Sequence, residues 1–307
     1  MLSAGGRRKG GGRVLTQPIN ALGVSLRWLA EPLAFDFMQR GLAASVMVGV
    51  LCALVGCYVV LRSMAFLGDA LAHAILPGVA VSYLLKGNLI FGALGAAVAV
   101  ALGIGLFSRR GRIREDTAIG ILFAAALALG VAMISTMKTY AVDLTHILFG
   151  NVLGVSREDL WLTAALGLVV VCTVLLLYKQ FLLISFDPVL AKTLGLRVEL
   201  LRNLLLVLIA VTVVVSLQSV GVGLVAAMLV TPAATAHLLT RRLPVMMALA
   251  AGIGAVSSVA GLYLSYSIDI ASGAAVVLVS TLIFVIAFAF APRRKLFEKR
   301  RGAGHRR

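Results

Sequence analysis

Acidic residues are scarce in this chain. Its 307 residues include 12 aspartates and glutamates against 28 lysines and arginines, and charged residues of both signs make up only 13% of the sequence. Soluble domains carry about 25% charge, so too few charges are present to cover an ordinary water-facing surface. Cysteine is also rare. Cys52, Cys57 and Cys172 each lie in an apolar run, which suits small hydrophobes and excludes a disulfide framework or a thiolate cage for zinc. Two catalytic signatures are absent: the G-x-x-x-x-G-K-[ST] loop that cradles nucleotide phosphates, and the H-E-x-x-H helix of a zinc protease. The first absence leaves the chain without a nucleotide-binding loop of that type, and the second excludes an intramembrane metalloprotease of that type. Apolar residues do not alternate with period two, which excludes a transmembrane barrel.

What is present is hydrophobic. The chain is 61% apolar with a mean hydropathy of +1.05, where soluble domains run about 45–50% apolar. The apolar stretches are continuous for about 20 residues, the length at which a helix crosses the hydrocarbon core with its own backbone groups satisfied. Candidate spans fall at 41–61, 64–85, 89–107, 118–137, 160–178, 204–217, 220–239, 245–266 and 271–291. The expected fold class is therefore all-α, a polytopic membrane helical bundle of eight or nine transmembrane helices. The sixth segment is short for a full crossing, and three readings fit it: tilted, broken at "QSVGVG", or partly re-entrant.

The net charge of +16 is concentrated at the ends and in loops. "RRKGGGR" (7–13), "RRGRIRED" (109–116) and "RRKLFEKRRGAGHRR" (293–307) flank or separate apolar segments. Such clusters mark cytoplasmic sides and contact anionic lipid; they give no reason to expect a nucleic-acid partner. The later loops, 109–114, 179–202 and 241–242, agree with one another and with the tail in facing the cytoplasm. Counting back from them puts Arg62 inside and Lys86 outside. It also leaves the N-terminus outside, against its own basic cluster. Residues 1–40 then form a basic, Gly-rich leader whose "INALGVSLRWLAEPLAF" is too polar to span and fits an interfacial helix. Residues 41–292 form the membrane domain and 293–307 a basic cytoplasmic tail. In the eighth segment, small residues recur at helical spacing on two faces: Ala250, Gly254 and Ser258 on one, and Ser257, Gly261 and Ser265 on the other. Neighbouring helices can approach closely there.

Ionisable groups inside spans cost about 2.5–3.5 kcal/mol and mark a pathway or a pair. The second segment contains "GDALAHAILPG" (68–78), in which Asp69 and His73 lie one helical turn apart on one face. A carboxylate and a neutral imidazole are ordinary ligands for zinc or manganese. Pro77 removes the backbone donor that would bond the His73 carbonyl, leaving a further oxygen nearby. Two ligands hold a metal poorly, and a two-fold mate would complete an Asp2His2 set on the symmetry axis. The bland alternative is a hydrogen-bonded pair that orders the bundle. Asp143 and His146, three residues apart in "VDLTHILFGN", form a second candidate pair at the outer membrane edge. His237 near Arg241 reads as an interfacial histidine.

A different signal lies in "SFDPVLAKTLGLR" (185–197). Asp187 can cap a helix that Pro188 begins; Val189, Leu190 and Leu194 form an apolar face with Ala191 between them; Gly195 can end it. A membrane-surface helix and a docking element for a partner both fit.

Taken in order, "VLRSMAFLGDALAHAILPGVA", "DTAIGILFAAALALG", "DLTHILFGNVLGVS", "SFDPVLAKTLGL" and "QSVGVGLVAAMLVTPAATAHLL" resemble the permease subunit of bacterial ABC importers for zinc and manganese, over nearly the whole membrane part. The resemblance implies a multi-pass protein of the bacterial cell membrane, without a permanently bound cofactor, that transports Mn2+ or Zn2+. Its implied partners are two cytoplasmic ABC ATPase subunits, an extracytoplasmic metal-binding protein and a second permease copy in a homodimer. It places Asp69 and His73 on the metal path at the dimer interface. It also makes the stretch from Asp187 through Pro188, Leu190, Ala191 and Leu194 to Gly195 the cytoplasmic coupling helix. "DLTHILFGN" is more similar to the manganese-type permeases, although Asp2His2 also suits tetrahedral zinc. A proton-coupled secondary metal carrier using the same Asp/His pair, or a permease for a metal chelate, are the competing readings.

Overall fold

The first span shows how the bundle is held. The computed structural model describes residues 34–108, 113–136 and 154–290. In it α1 (Asp36–Leu61) is a helix of 26 residues, about 39 Å long and so longer than the roughly 30 Å hydrocarbon core. It begins ahead of the expected position 41. After it come α2 (Leu67–Ala74), α3 (Leu76–Leu84), α4 (Leu89–Ser108), α5 (Glu115–Ser135), α6 (Arg157–Leu176), α7 (Tyr178–Phe186) and α8 (Pro188–Thr193). The last four are α9 (Val198–Val220), α10 (Val222–Leu239), α11 (Leu243–Ile268) and α12 (Ser272–Phe290). With α2 and α3 taken together as one crossing, 9 segments among the described residues are long and apolar enough to span a membrane.

Helix α1 is the hub. It packs against α6, α7, α9, α10 and α11, and small residues set the closest approaches. A Cβ added at Gly49 would meet the Gly254 carbonyl and the Ser258 hydroxyl, and one at Gly56 would fall on the Leu229 carbonyl of α10. The Ser258 hydroxyl also donates to the Ser45 carbonyl at 2.9 Å. Both small faces expected on the eighth segment are used: Gly254 and Ser258 lie against α1, while Gly261 abuts Val276 of α12. The Ser265 hydroxyl closes the turn after α11 by donating to the Ile270 carbonyl at 2.6 Å. Cys52 and Cys57 are buried in α1, and Cys172 is exposed on α6.

Two spans differ from the sequence expectation. The sixth is not short: α9 runs for 23 residues. Its first turns carry Glu199 and Arg202, which pair at 2.9 Å, while Arg202 also donates to the Gly105 carbonyl at 2.7 Å. Charges that look like a loop boundary are thus neutralised within the helix. The "QSVGVG" stretch holds the junction between this full-length span and the next rather than a break within the sixth. Gly221, with φ +85° and ψ 166°, ends α9 and opens α10, a left-handed conformation open to glycine at little cost. The second difference lies in 64–85, which is two helices divided at Ile75, directly before the Leu76–Pro77 start of α3.

At the start of α6, Ser156 and Asp159 form a capping box. Gln218 of α9 donates to Asp159 Oδ1 at 2.8 Å, and Thr163 and Ser219 share a buried hydrogen bond of 2.9 Å. These contacts pair polar groups of α6 and α9 across the helix interface.

The α1–α11 contact makes a stability prediction. Gly254→Ala would press a methyl onto the Gly49 carbonyl and should destabilise the protein by about 1–3 kcal/mol, the usual range for overpacking. Gly252→Ala on the same helix, with nothing within 4 Å of the added carbon, should leave the thermal midpoint of the detergent-solubilised protein unchanged or slightly raised. Equal midpoints for the two variants would contradict this packing.

Candidate functional site

The short helix α2 owes its orientation to its sequence. Leu67, Gly68, Ala70, Leu71, Ala72 and Ala74 are all buried, because they are the small or apolar residues of an eight-residue helix set among α4, α5, α9 and α10. That leaves Asp69 and His73 on the outward face. The Asp69 side chain is 53% exposed and that of His73 31%. Asp69 sits in the first turn and His73 in the last. Asp69 Oδ1 and His73 Nε2 are 3.6 Å apart. This is longer than a hydrogen bond, so the two groups face the same space without locking onto each other. On its other side the imidazole lies against the Phe123 ring of α5, with centroids 6.0 Å apart at 57°.

This arrangement supplies one carboxylate and one imidazole. No group of three or more histidine, cysteine or acidic side chains able to hold a metal occurs among the described residues, whereas zinc commonly takes four ligands. The additional oxygen expected at His73 is not free: its carbonyl is approached by the Ile75 backbone N–H. Pro77 still acts at this junction, since it sits in the first turn of α3, where a missing N–H is tolerated. Asp143 and His146, like residues 1–33 and the tail, lie outside the described residues. His237 is exposed at the end of α10.

The second element is α8. Asp187 Oδ1 accepts the N–H groups of Val189 at 3.0 Å and Leu190 at 2.9 Å, Pro188 occupies the first helical position, and Gly195 stops the turn at φ +77°. The helical residues are fewer than the expected 187–195, because Asp187 serves as the cap and Leu194–Gly195 as the exit. Ala191 is fully buried, which pins the helix to the bundle. Val189, Leu190 and Leu194 are exposed at 71%, 47% and 64%, an apolar knob that no element among the described residues covers.

A third feature was not singled out from sequence. Arg62, just past α1, forms an ion pair with Glu115 at the start of α5, and Arg202 of α9 approaches the same carboxylate oxygen at 3.8 Å. Side-chain exposure is 10% for Arg62, 13% for Arg202 and 21% for Glu115. Burial lowers the pKa of Arg62, against the raising effect of the Glu115 charge and together with the lowering effect of Arg202. In sequence these residues appear as ordinary loop charges. The available signal was their sign: opposite charges at the ends of three spans assigned to the same side.

Comparisons with known proteins fit this geometry. The chain is 50% identical over 268 residues to the manganese transport system membrane protein MntC of Listeria monocytogenes, covering 87% of this chain and 95% of that protein. It is 48% identical over 262 residues to the protein of the same name from Halalkalibacterium halodurans, covering 85% and 90%. Among solved structures it is similar to a chain of PsaBC from Streptococcus pneumoniae in complex with Fab, with a TM-score of 0.78 and 38% identity over 90% of this chain and 99% of that one. A family model described as the ABC 3 transport family matches residues 34–291, which takes in every described helix. With its membrane-spanning helices and these relatives, the chain belongs to the ABC 3 transport family, as a multi-pass transport permease of the bacterial plasma membrane.

Proposed function

We propose that this chain is the permease of an ATP-driven importer of divalent transition metal ions, with manganese as cargo ahead of zinc, and that the metal passes between the Asp69/His73 pairs of two copies. The observation that carries the reading is the outward face of α2. In a helix whose other side chains are buried, a carboxylate and an imidazole point away from the core. Left facing lipid, such groups are expensive. A second copy related by a two-fold axis covers them and brings two carboxylates and two imidazoles to one point. Four such donors suit zinc as a tetrahedral set, and manganese when water completes the shell. The names of the relatives from Listeria monocytogenes and Halalkalibacterium halodurans favour manganese.

In this reading an extracytoplasmic binding protein delivers the ion. Cytoplasmic ATPase subunits receive the exposed Val189, Leu190 and Leu194 of α8 in a groove, and ATP-driven movement of α8 alternates access to the Asp/His site. The weak mutual contact of Asp69 and His73 fits a gate. A transport site must release its ion, so its ligands need to be available without being held tightly by each other.

His73→Ala should lower uptake of manganese by about tenfold or more at equal membrane abundance, since even outer-shell partners of metal ligands are worth about 10–100-fold. Asp69→Asn should impair manganese more than zinc, because manganese depends more on anionic oxygen. Uptake of each metal into proteoliposomes containing the permease with its ATPase checks both, with ATP depletion and a protonophore applied separately. Near-normal uptake by either variant would rule out the gate. Loss of the protein from the membrane would point to a pair that serves folding. Uptake that survives ATP depletion but collapses with the proton gradient would establish a secondary carrier instead.

Replacing Leu190 and Leu194 together by Asp should leave the permease inserted, since both side chains are exposed. It should also weaken copurification of the ATPase by more than tenfold, as burial of a leucine contributes about 1.5–3 kcal/mol. Normal copurification and uptake would show that α8 is not the docking element.

A further inference from the structure

The part-buried ion cluster lies between the two elements of the proposed machine, and its connections are specific. Arg62 follows α1 and opens the short stretch that leads into α2, the helix of Asp69 and His73. Glu115 is the first residue of α5, and α5 carries Phe123, whose ring lies against His73. Further along the same helix, Gly130 abuts Leu76 and Pro77 at the start of α3. Arg202 lies one turn into α9, which begins directly after the exit from α8. It also binds the Gly105 carbonyl of α4 at 2.7 Å and Glu199 at 2.9 Å. A single carboxylate therefore joins the chain leaving α1, the start of α5 and the start of α9. The neighbouring Asp116 is exposed and takes no part in these contacts. Simple charge balance at the membrane surface would not require burial or a shared acceptor, since exposed ion pairs contribute little to stability.

We infer that Glu115 is a positioning residue for transport: paired directly with Arg62 and attracting Arg202 across 3.8 Å by charge alone, it passes displacement of α8 and α9 to the helices that carry and flank the Asp69/His73 pair. This rests on the reading of the chain as an ATP-driven metal permease. The two arginines have distinct parts. Arg202 binds the side that faces the ATPase, and Arg62 binds the side that leads to the metal ligands. Because both arginines approach the same carboxylate oxygen, neutralising it weakens the tie of one side to the other without touching α8 or the metal ligands.

The test uses the complete transporter in proteoliposomes, with manganese as the ion, comparing Glu115→Gln with the parent and with Glu115→Asp. The expected result is that E115Q assembles with its ATPase and hydrolyses ATP at close to the parental rate. Manganese moved per ATP should fall at least about fivefold, the lower end of energetic coupling between sites, and E115D should restore much of it. Should E115Q fail to reach the membrane, Arg62→Lys and Arg202→Lys keep the charges while removing the forked guanidinium, and the same fall in metal per ATP is expected. An unchanged ratio in these variants overturns the inference, as does a parallel fall of hydrolysis and uptake, which is the mark of a merely structural contact. A parent complex that moves no manganese in response to ATP would instead sink the functional reading on which the inference rests.

Discussion

Close approach of helices at small residues is the interaction on which the rest depends. In lipid, burying an apolar face against another helix gains little from hydrophobicity, because the hydrocarbon outside is equally apolar. What remains is dispersion and hydrogen bonding at short range, and these require backbones to come near one another. Gly49 with Gly254, and Gly56 with the Leu229 carbonyl, allow this along the length of α1. Most of the hydrophobic core then follows from α1 and α9, whose residues are enclosed, while α6 and α12 show most of their surface to the outside. The position of Arg62, and so the point from which α2 departs, is inherited from how α1 is seated.

Polar groups obey the same economy of placement. Hydroxyls within helices donate back to carbonyls four residues earlier, as Thr212 does to Leu208 at 2.8 Å, or cross to a neighbouring helix, as Ser258 does. The charges of Arg62, Glu115 and Arg202 are gathered at one end, where each compensates another. Because the set is only part-buried, water compensates in part for the loss of one member, and the cost lies below that of a fully buried pair. Asp69 and His73 depart from this pattern, since neither is enclosed by its own chain. An outward carboxylate and imidazole on one short helix whose other residues are buried are the observation on which the proposed function rests.

The features legible in the sequence were local ones. The α8 cap could be read because Asp, Pro and Gly each act on the backbone within one to three residues, and Asp187, Pro188 and Gly195 do so here. The two small faces of α11 could be read because helical periodicity is a local rule, although their partners, α1 and α12, could not. The length of α9 was misjudged because Glu199 and Arg202 look like the end of a span when their mutual neutralisation is unknown. The split at Ile75 escaped because Pro77 marks a disturbance without saying on which side the helix will close.

The sequence alone determined the membrane setting, the approximate spans, the capped helix α8 and the sharing of one helical face by Asp69 and His73, for all of these follow from composition, period or short-range backbone chemistry. Only the tertiary structure decided that this face points outward from the chain, that α9 reaches back through Arg202 to α4 and α5, and that Glu115 serves two arginines at once. Those facts depend on contacts between residues as far apart in sequence as Arg62 and Arg202. The reason is physical: a side chain's direction is set by its own helix, but what it meets is set by how other helices pack around it.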